Sequence, residues 1–104
     1  HYLCPKQRMM DWYYMSDNAI LQEIGQRLRS YRRKRKLTQK VLAERTGLSL
    51  FTIAQIEQGK AVSLSSLLPV LRELRLLNNL DAFIPNIPES PINLLNKQRK
   101  NKKP

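Results

Sequence analysis

Arg27, Arg29, Arg32, Arg33, Lys34, Arg35 and Lys36 fall within ten residues, with no acid among them. Cations at that density suit phosphate, because each one neutralises a phosphate and releases condensed counterions. Immediately after them comes TQKVLAERTGLSLFTIAQIEQGK, residues 38–60, with turn and capping residues at helical intervals. Other chemistry is poorly supplied. There is one histidine, His1, and one cysteine, Cys4, so neither a disulfide framework nor a zinc site can be assembled. Glu44, Glu57 and Glu73 are isolated on separate helical segments, and no nucleophile stands beside a base. The expectation is a binding protein without enzyme activity, metal or cofactor.

The balance of charge agrees. The 104 residues carry 19 Lys+Arg against 8 Asp+Glu, a net +11, with an isoelectric point near 10.3. Such a chain suits an anionic partner, either a nucleic acid or a membrane surface. Charge alone does not separate DNA from RNA. No apolar run approaches the roughly 18 residues of a membrane span. Met9 and Met10 lead into DWYYMSD rather than into an apolar signal core. A cytoplasmic protein with no membrane partner is expected.

The elements that position these residues are helical. Gly is scarce and β-branched residues are few. A first helix is expected from a cap at Asp17 or Asn18 to about Lys36. Its stripe is Ile20, Ile24, Leu28 and Tyr31, with Glu23 near its positive end and the cations near its negative end. A second runs from Thr38, its cap, to about Thr46, with Gly47 in the turn and Leu48 beneath it. A third runs from Ser49 to about Gln58, with Ile53 and Ile56 inward and Gly59 ending it. Two short helices on a tight turn make a helix-turn-helix. A fourth helix is expected over Leu64–Leu77, capped by Ser63, with Leu64, Leu67, Leu68, Leu71 and Leu74 as its core stripe. Pro69 inside it implies a late start or a kink. Asn78 and Asn79 break it, and Leu80–Ile84 forms a fifth, capped by Asn79.

Three segments follow. Residues 1–16 form a flexible N-terminal arm, of which 1–8 precede the first methionine and are vector sequence, upstream sequence or a native arm. Residues 17–84 form the domain. Residues 85–104 form a basic tail spaced by Pro85, Pro88 and Pro91, with room for one helical turn at 92–96 and disorder at KQRKNKKP. Trp12, Tyr13 and Tyr14 in a row serve either as a lid on the core or as a dimer contact.

Ile24-Gly25, Arg27-Leu28-Arg29, Leu37-Thr38-Gln39, Leu42-Ala43, Gly47-Leu48-Ser49, Thr52-Ile53, Ile56-Glu57 and Gly59-Lys60 together resemble the XRE family, the lambda-repressor-like domains of five helices. The likeness covers about residues 20–84. It implies an all-α, five-helix DNA-binding domain whose third helix enters the major groove of double-stranded DNA, in a homodimer on paired half-sites. On that likeness Leu50, Phe51, Thr52 and Gln55 read bases. Thr38, Gln39, Ser49, Gln58, Lys60, Arg32, Arg33 and Arg35 hold phosphate, Gln39 as a clamp. Glu57 is expected in a structural salt bridge or cap with a nearby arginine rather than in a base contact. Leu50 and Phe51 are apolar where the family commonly places polar groups. They either pack on thymine methyls or contact the aromatic arm or a partner protein. The run from Asn79 through SPINLLNKQRKNKKP is similar to the tail of HipB-type antitoxins, which implies a HipA-type kinase as a partner. A DNA-binding repressor is the leading expectation, and an antitoxin or adaptor the alternative.

Overall fold

The computed structural model describes residues 10–88. The arm before Met10, with Cys4, lies outside the described residues, as do the 92–96 turn, Pro91 and the KQRKNKKP end. Five α-helices follow one another: α1 Asp17–Lys34, α2 Gln39–Thr46, α3 Leu50–Glu57, α4 Leu64–Glu73 and α5 Leu80–Phe83. A 3-10 turn, Trp12–Tyr14, precedes α1, and a second, Leu77–Asn79, precedes α5. The described residues contain no strand, so the all-α expectation holds.

Local chemistry fixes the helix ends. The hydroxyls of Ser16, Thr38, Ser49 and Ser63 each accept the N–H three residues on, and so start α1, α2, α3 and α4. The cap of α1 is therefore Ser16, one residue before the expected Asp17 or Asn18. Each of these helices stops at a residue in the left-handed region, namely Lys36, Gly47, Gly59 and Arg75. The next N–H reaches back five residues in every case: Leu37 to Arg32 O, Leu48 to Ala43 O, Lys60 to Gln55 O and Leu76 to Leu71 O. Lys36 and Arg75 accept this conformation at a cost of about 1–2 kcal/mol each. Arg75 is also the reason α4 ends at Glu73 instead of Leu77. Asn79 makes no side-chain cap to α5.

Packing follows from which faces are apolar. α3 lies against α2 and α1, and α2 against α4. The core is Leu28, Leu42, Ala43, Ile53, Ile56, Val70 and Leu74, with Leu42, Ile53 and Val70 the most completely enclosed. Burying side chains of this size contributes about 1.5–3 kcal/mol each. Three expected core positions are corrected here. Tyr31 is 44% exposed, because Arg32, four residues after Leu28, takes the inward position. On α4, Leu64 at 62% and Leu68 at 36% face solvent while Val70 is buried. α4 also starts at its cap despite Pro69. The proline removes the bond to the carbonyl of Ser65, an exposed residue whose carbonyl water can reach.

The aromatic turn is no lid. Tyr13 is fully exposed and Tyr14 nearly so. Trp12 alone lies against α1, its ring centroid 4.9 Å from the Arg27 guanidinium carbon, a cation–π contact. Arg27 also donates to Glu23 at 2.9 Å and to the Met10 sulfur at 3.0 Å. Among the described residues no helix is long and apolar enough to cross a membrane.

The tightest crossing is α1 on α3. A methyl on Gly25 would stand 2.6 Å from the carbonyl oxygen of Ile56 and 2.7 Å from that of Glu57. Both are backbone atoms that cannot swing aside. Gly25→Ala is expected to lower stability by about 1–3 kcal/mol, read as the urea midpoint by circular dichroism. An unchanged midpoint would mean α1 and α3 do not approach this closely.

Candidate nucleic-acid interface

The turn between α2 and α3 is short and chemically determined. Gly47 takes φ 77°, Leu48 tucks half-buried beside the core, and Ser49 opens the next helix at once. The Ser49 hydroxyl accepts from Thr52 N–H at 3.0 Å and pairs with the Thr52 hydroxyl at 2.9 Å. α3 therefore projects its first turn, Leu50 and Phe51, into solvent, while Ile53 and Ile56 anchor the opposite side. Gln55 lies one turn after Phe51 and is half-buried, as is Thr52. Gln58 and Lys60 are exposed at the far end. The structure thus brings Leu50, Phe51, Thr52 and Gln55 together along one helix.

At the start of α2, the Thr38 hydroxyl accepts the Val41 N–H at 3.1 Å. The N–H groups of Gln39 and Lys40 are left at the open helix end, where they favour an anion. Lys40 is exposed and absent from the expected phosphate set. Its place directly after Gln39 was the available signal.

Below these residues lies a buried polar network. Arg32 Nε donates to Glu57 Oε2 at 2.7 Å and Nη2 to Oε1 at 3.1 Å. Nη1 donates to the Leu37 carbonyl at 2.7 Å. Gln39 Nε2 donates to the same Glu57 Oε1 at 3.0 Å. Arg32 and Glu57 are 7% and 9% exposed. Glu57 is thus in a structural salt bridge with an arginine, as expected. Arg32 is not a phosphate contact, because all three of its nitrogens are spent inside the protein. Arg35 is also turned inward, its Nη1 2.6 Å from the Glu73 carbonyl, so it braces α4 instead of projecting freely. Arg33 remains exposed. Gln39 keeps its backbone N–H for an anion, but its side-chain amide already serves Glu57.

A family model described as a helix-turn-helix domain matches residues 25–82. The chain belongs to that family. A search of curated proteins finds no match. Among solved structures the chain is similar to the restriction-modification controller protein C.AhdI from Aeromonas hydrophila. The two are 36% identical over 55% of this chain and 88% of that one, with a TM-score of 0.52. Family and structural likeness together make this an XRE-like helix-turn-helix protein, of the DNA-binding transcriptional-regulator type.

The network separates two kinds of arginine. Arg32→Ala strands the Glu57 carboxylate in the interior and is expected to cost about 3–5 kcal/mol. Arg33→Ala is expected to leave the unfolding midpoint unchanged. Urea denaturation of the two variants side by side checks the contrast, and equal midpoints would remove the structural role given to Arg32.

Proposed function

We propose that this protein is a sequence-specific repressor that binds double-stranded DNA as a homodimer. The observation that carries the reading is the exposed α3, held by the α2 turn on a chain of net charge +11. α3 enters the major groove, where Leu50, Phe51, Thr52 and Gln55 meet base edges. Gln55 has the amide that can bond an adenine in bidentate fashion. Thr38, the Gln39 and Lys40 amides, Ser49, Gln58, Lys60 and Arg33 meet phosphates on either flank, which sets register and supplies most of the affinity. The likeness to a restriction-modification controller protein supports a regulatory role.

Dimerisation places two α3 helices on half-sites about 34–36 Å apart. Away from α3, the most exposed apolar groups among the described residues are Tyr13 and Tyr14 on the N-terminal turn and Phe83, Ile84 and Ile87 at the C-terminal end. α5 packs mainly on the turn before it, which leaves its other side for a partner protomer, and we assign the dimer contact there. An antitoxin role with a HipA-type kinase comes second, since the run that carries that likeness begins at Asn79 and extends outside the described residues.

Titration of labelled upstream DNA against random duplex, across a salt series, tests this reading. Gln55→Ala is expected to weaken the specific site by about 1–3 kcal/mol and leave random DNA unaffected, whereas Lys60→Ala weakens both and reduces the salt slope by about one. No preference for any sequence at any salt would sink the repressor reading. Light scattering tests the dimer: F83E/I84E is expected to halve the mass, and an unchanged mass moves the contact to Tyr13 and Tyr14.

A further inference from the structure

The two most exposed side chains on the first turn of α3, Leu50 and Phe51, can make no hydrogen bond. Leu50 and Phe51 are 50% and 71% exposed, and the hydroxyls of Ser49 and Thr52 are paired with each other at 2.9 Å. Beside the Phe51 ring opens a shallow recess of about 280 Å³, lined by Thr52, Gln55, Val62, Ser63 and Ser66. Groups that cannot hydrogen-bond gain nothing from the nitrogen and oxygen edges of bases. In the major groove one apolar group is on offer, the C5 methyl of a pyrimidine. Thymine always carries it, and cytosine carries it only when methylated.

We propose that Leu50 and Phe51 read a pyrimidine C5 methyl, so that the protein distinguishes thymine from uracil and 5-methylcytosine from cytosine at the step beneath the start of α3. This rests on the DNA-binding reading above and names the group that the site takes. Phe51 and Val62 both line the recess, so its wall carries apolar surface that a methyl group can meet. Gln55, one turn further along the same face, supplies the polar contact to the neighbouring pair. The cationic surroundings favour a nucleic acid over an apolar partner protein at this spot, since Lys60 lies just past the end of α3 and Lys40 stands at the start of α2. DNA binding therefore depends on cytosine methylation wherever a cytosine occupies that step.

The test uses the full chain. A preferred duplex is selected from a random library. It is then resynthesised with deoxyuridine for each thymidine in turn, and with 5-methylcytosine for each cytosine, including a cytosine introduced at the thymine step. Deoxyuridine at one step per half-site is expected to weaken binding about fourfold, the worth of one buried methyl group. 5-Methylcytosine there is expected to bind better than cytosine by a similar factor. Phe51→Ala should abolish both differences, while Gln55→Ala should keep them despite weaker binding overall. If every base analogue binds equally, or if Phe51→Ala retains the full methyl dependence, the methyl assignment is wrong and DNA binding stands. If no duplex is selected at all, both readings fall, and an apolar partner protein on Leu50 and Phe51 takes their place.

Discussion

The Arg32–Glu57 pair is the interaction on which the rest of the domain depends. It joins the last turn of α1 to the last residue of α3, and through Gln39 it holds the first residue of α2 as well. Arg32 also fixes the Leu37 carbonyl, so the chain between α1 and α2 has one path. Two ions removed from water cost several kcal/mol each, and the pair offsets this only because nearly every donor and acceptor finds a partner. The same satisfaction makes the arrangement geometrically selective. Moving α3 along α1 would strand a carboxylate, while moving α2 would strand an amide. The angle between the open end of α2 and the exposed face of α3 is the quantity a duplex would sense, and this network sets it from beneath.

That constraint revises the meaning of the basic stretch. Seven cations in residues 27–36 look like a continuous phosphate-binding face, but two of them are turned into the protein and a third, exposed Arg27, is already held by its neighbours. Arg27 is held by Trp12 and Glu23, Arg32 by Glu57, and Arg35 by the Glu73 carbonyl. Arg29, Arg33, Lys34 and Lys36 remain exposed. Charge density in a sequence therefore overstates the number of phosphates a helix can neutralise. Two further exposed cations, Lys40 at the start of α2 and Lys60 just past the end of α3, come from outside the stretch.

What was legible in the sequence was local. Thr38, Ser49 and Ser63 as caps and Gly47 as a left-handed stop each depend on chemistry within a few residues, so their types announce the helix ends. The turn geometry followed from them. That Glu57 pairs with an arginine was legible, but not that the arginine is Arg32, because the partners are 25 residues apart and helical periodicity permits either Tyr31 or Arg32 to continue the stripe of Ile24 and Leu28. Hydropathy favours tyrosine, and tertiary hydrogen bonding favours arginine. Leucine abundance misled in the same way on α4, where Val70 is enclosed and Leu64 and Leu68 are not. A helix that touches its neighbours over part of its length buries a short arc, so a run of leucines does not say which of them is covered. Lys36 and Arg75 show another limit, since nothing about their types announces a left-handed backbone.

The candidate site divides along the same line. Its scaffold is prescribed by caps, a glycine turn and a buried ion pair, all of which tolerate little change. Its outer surface is prescribed by nothing in the fold: Leu50 and Phe51 contribute no core contact that another residue would fail to supply, and their exposure costs solubility. An exposed phenylalanine beside an open recess is a poor choice for a solvated helix face. Its exposure becomes useful when an apolar group from outside covers it. On the reading helix of a strongly cationic protein, with Gln55 as the adjacent polar group, the covering surface that fits both the charge and the shape is the floor of a major groove. On the proposed reading, specificity there is divided between an apolar contact that measures presence or absence of a methyl and an amide that measures orientation of a base pair. A helix that recognises with so few polar groups must obtain its alignment from elsewhere, and the α2 end held by Arg32, Glu57 and Gln39 is the part of the structure rigid enough to provide it.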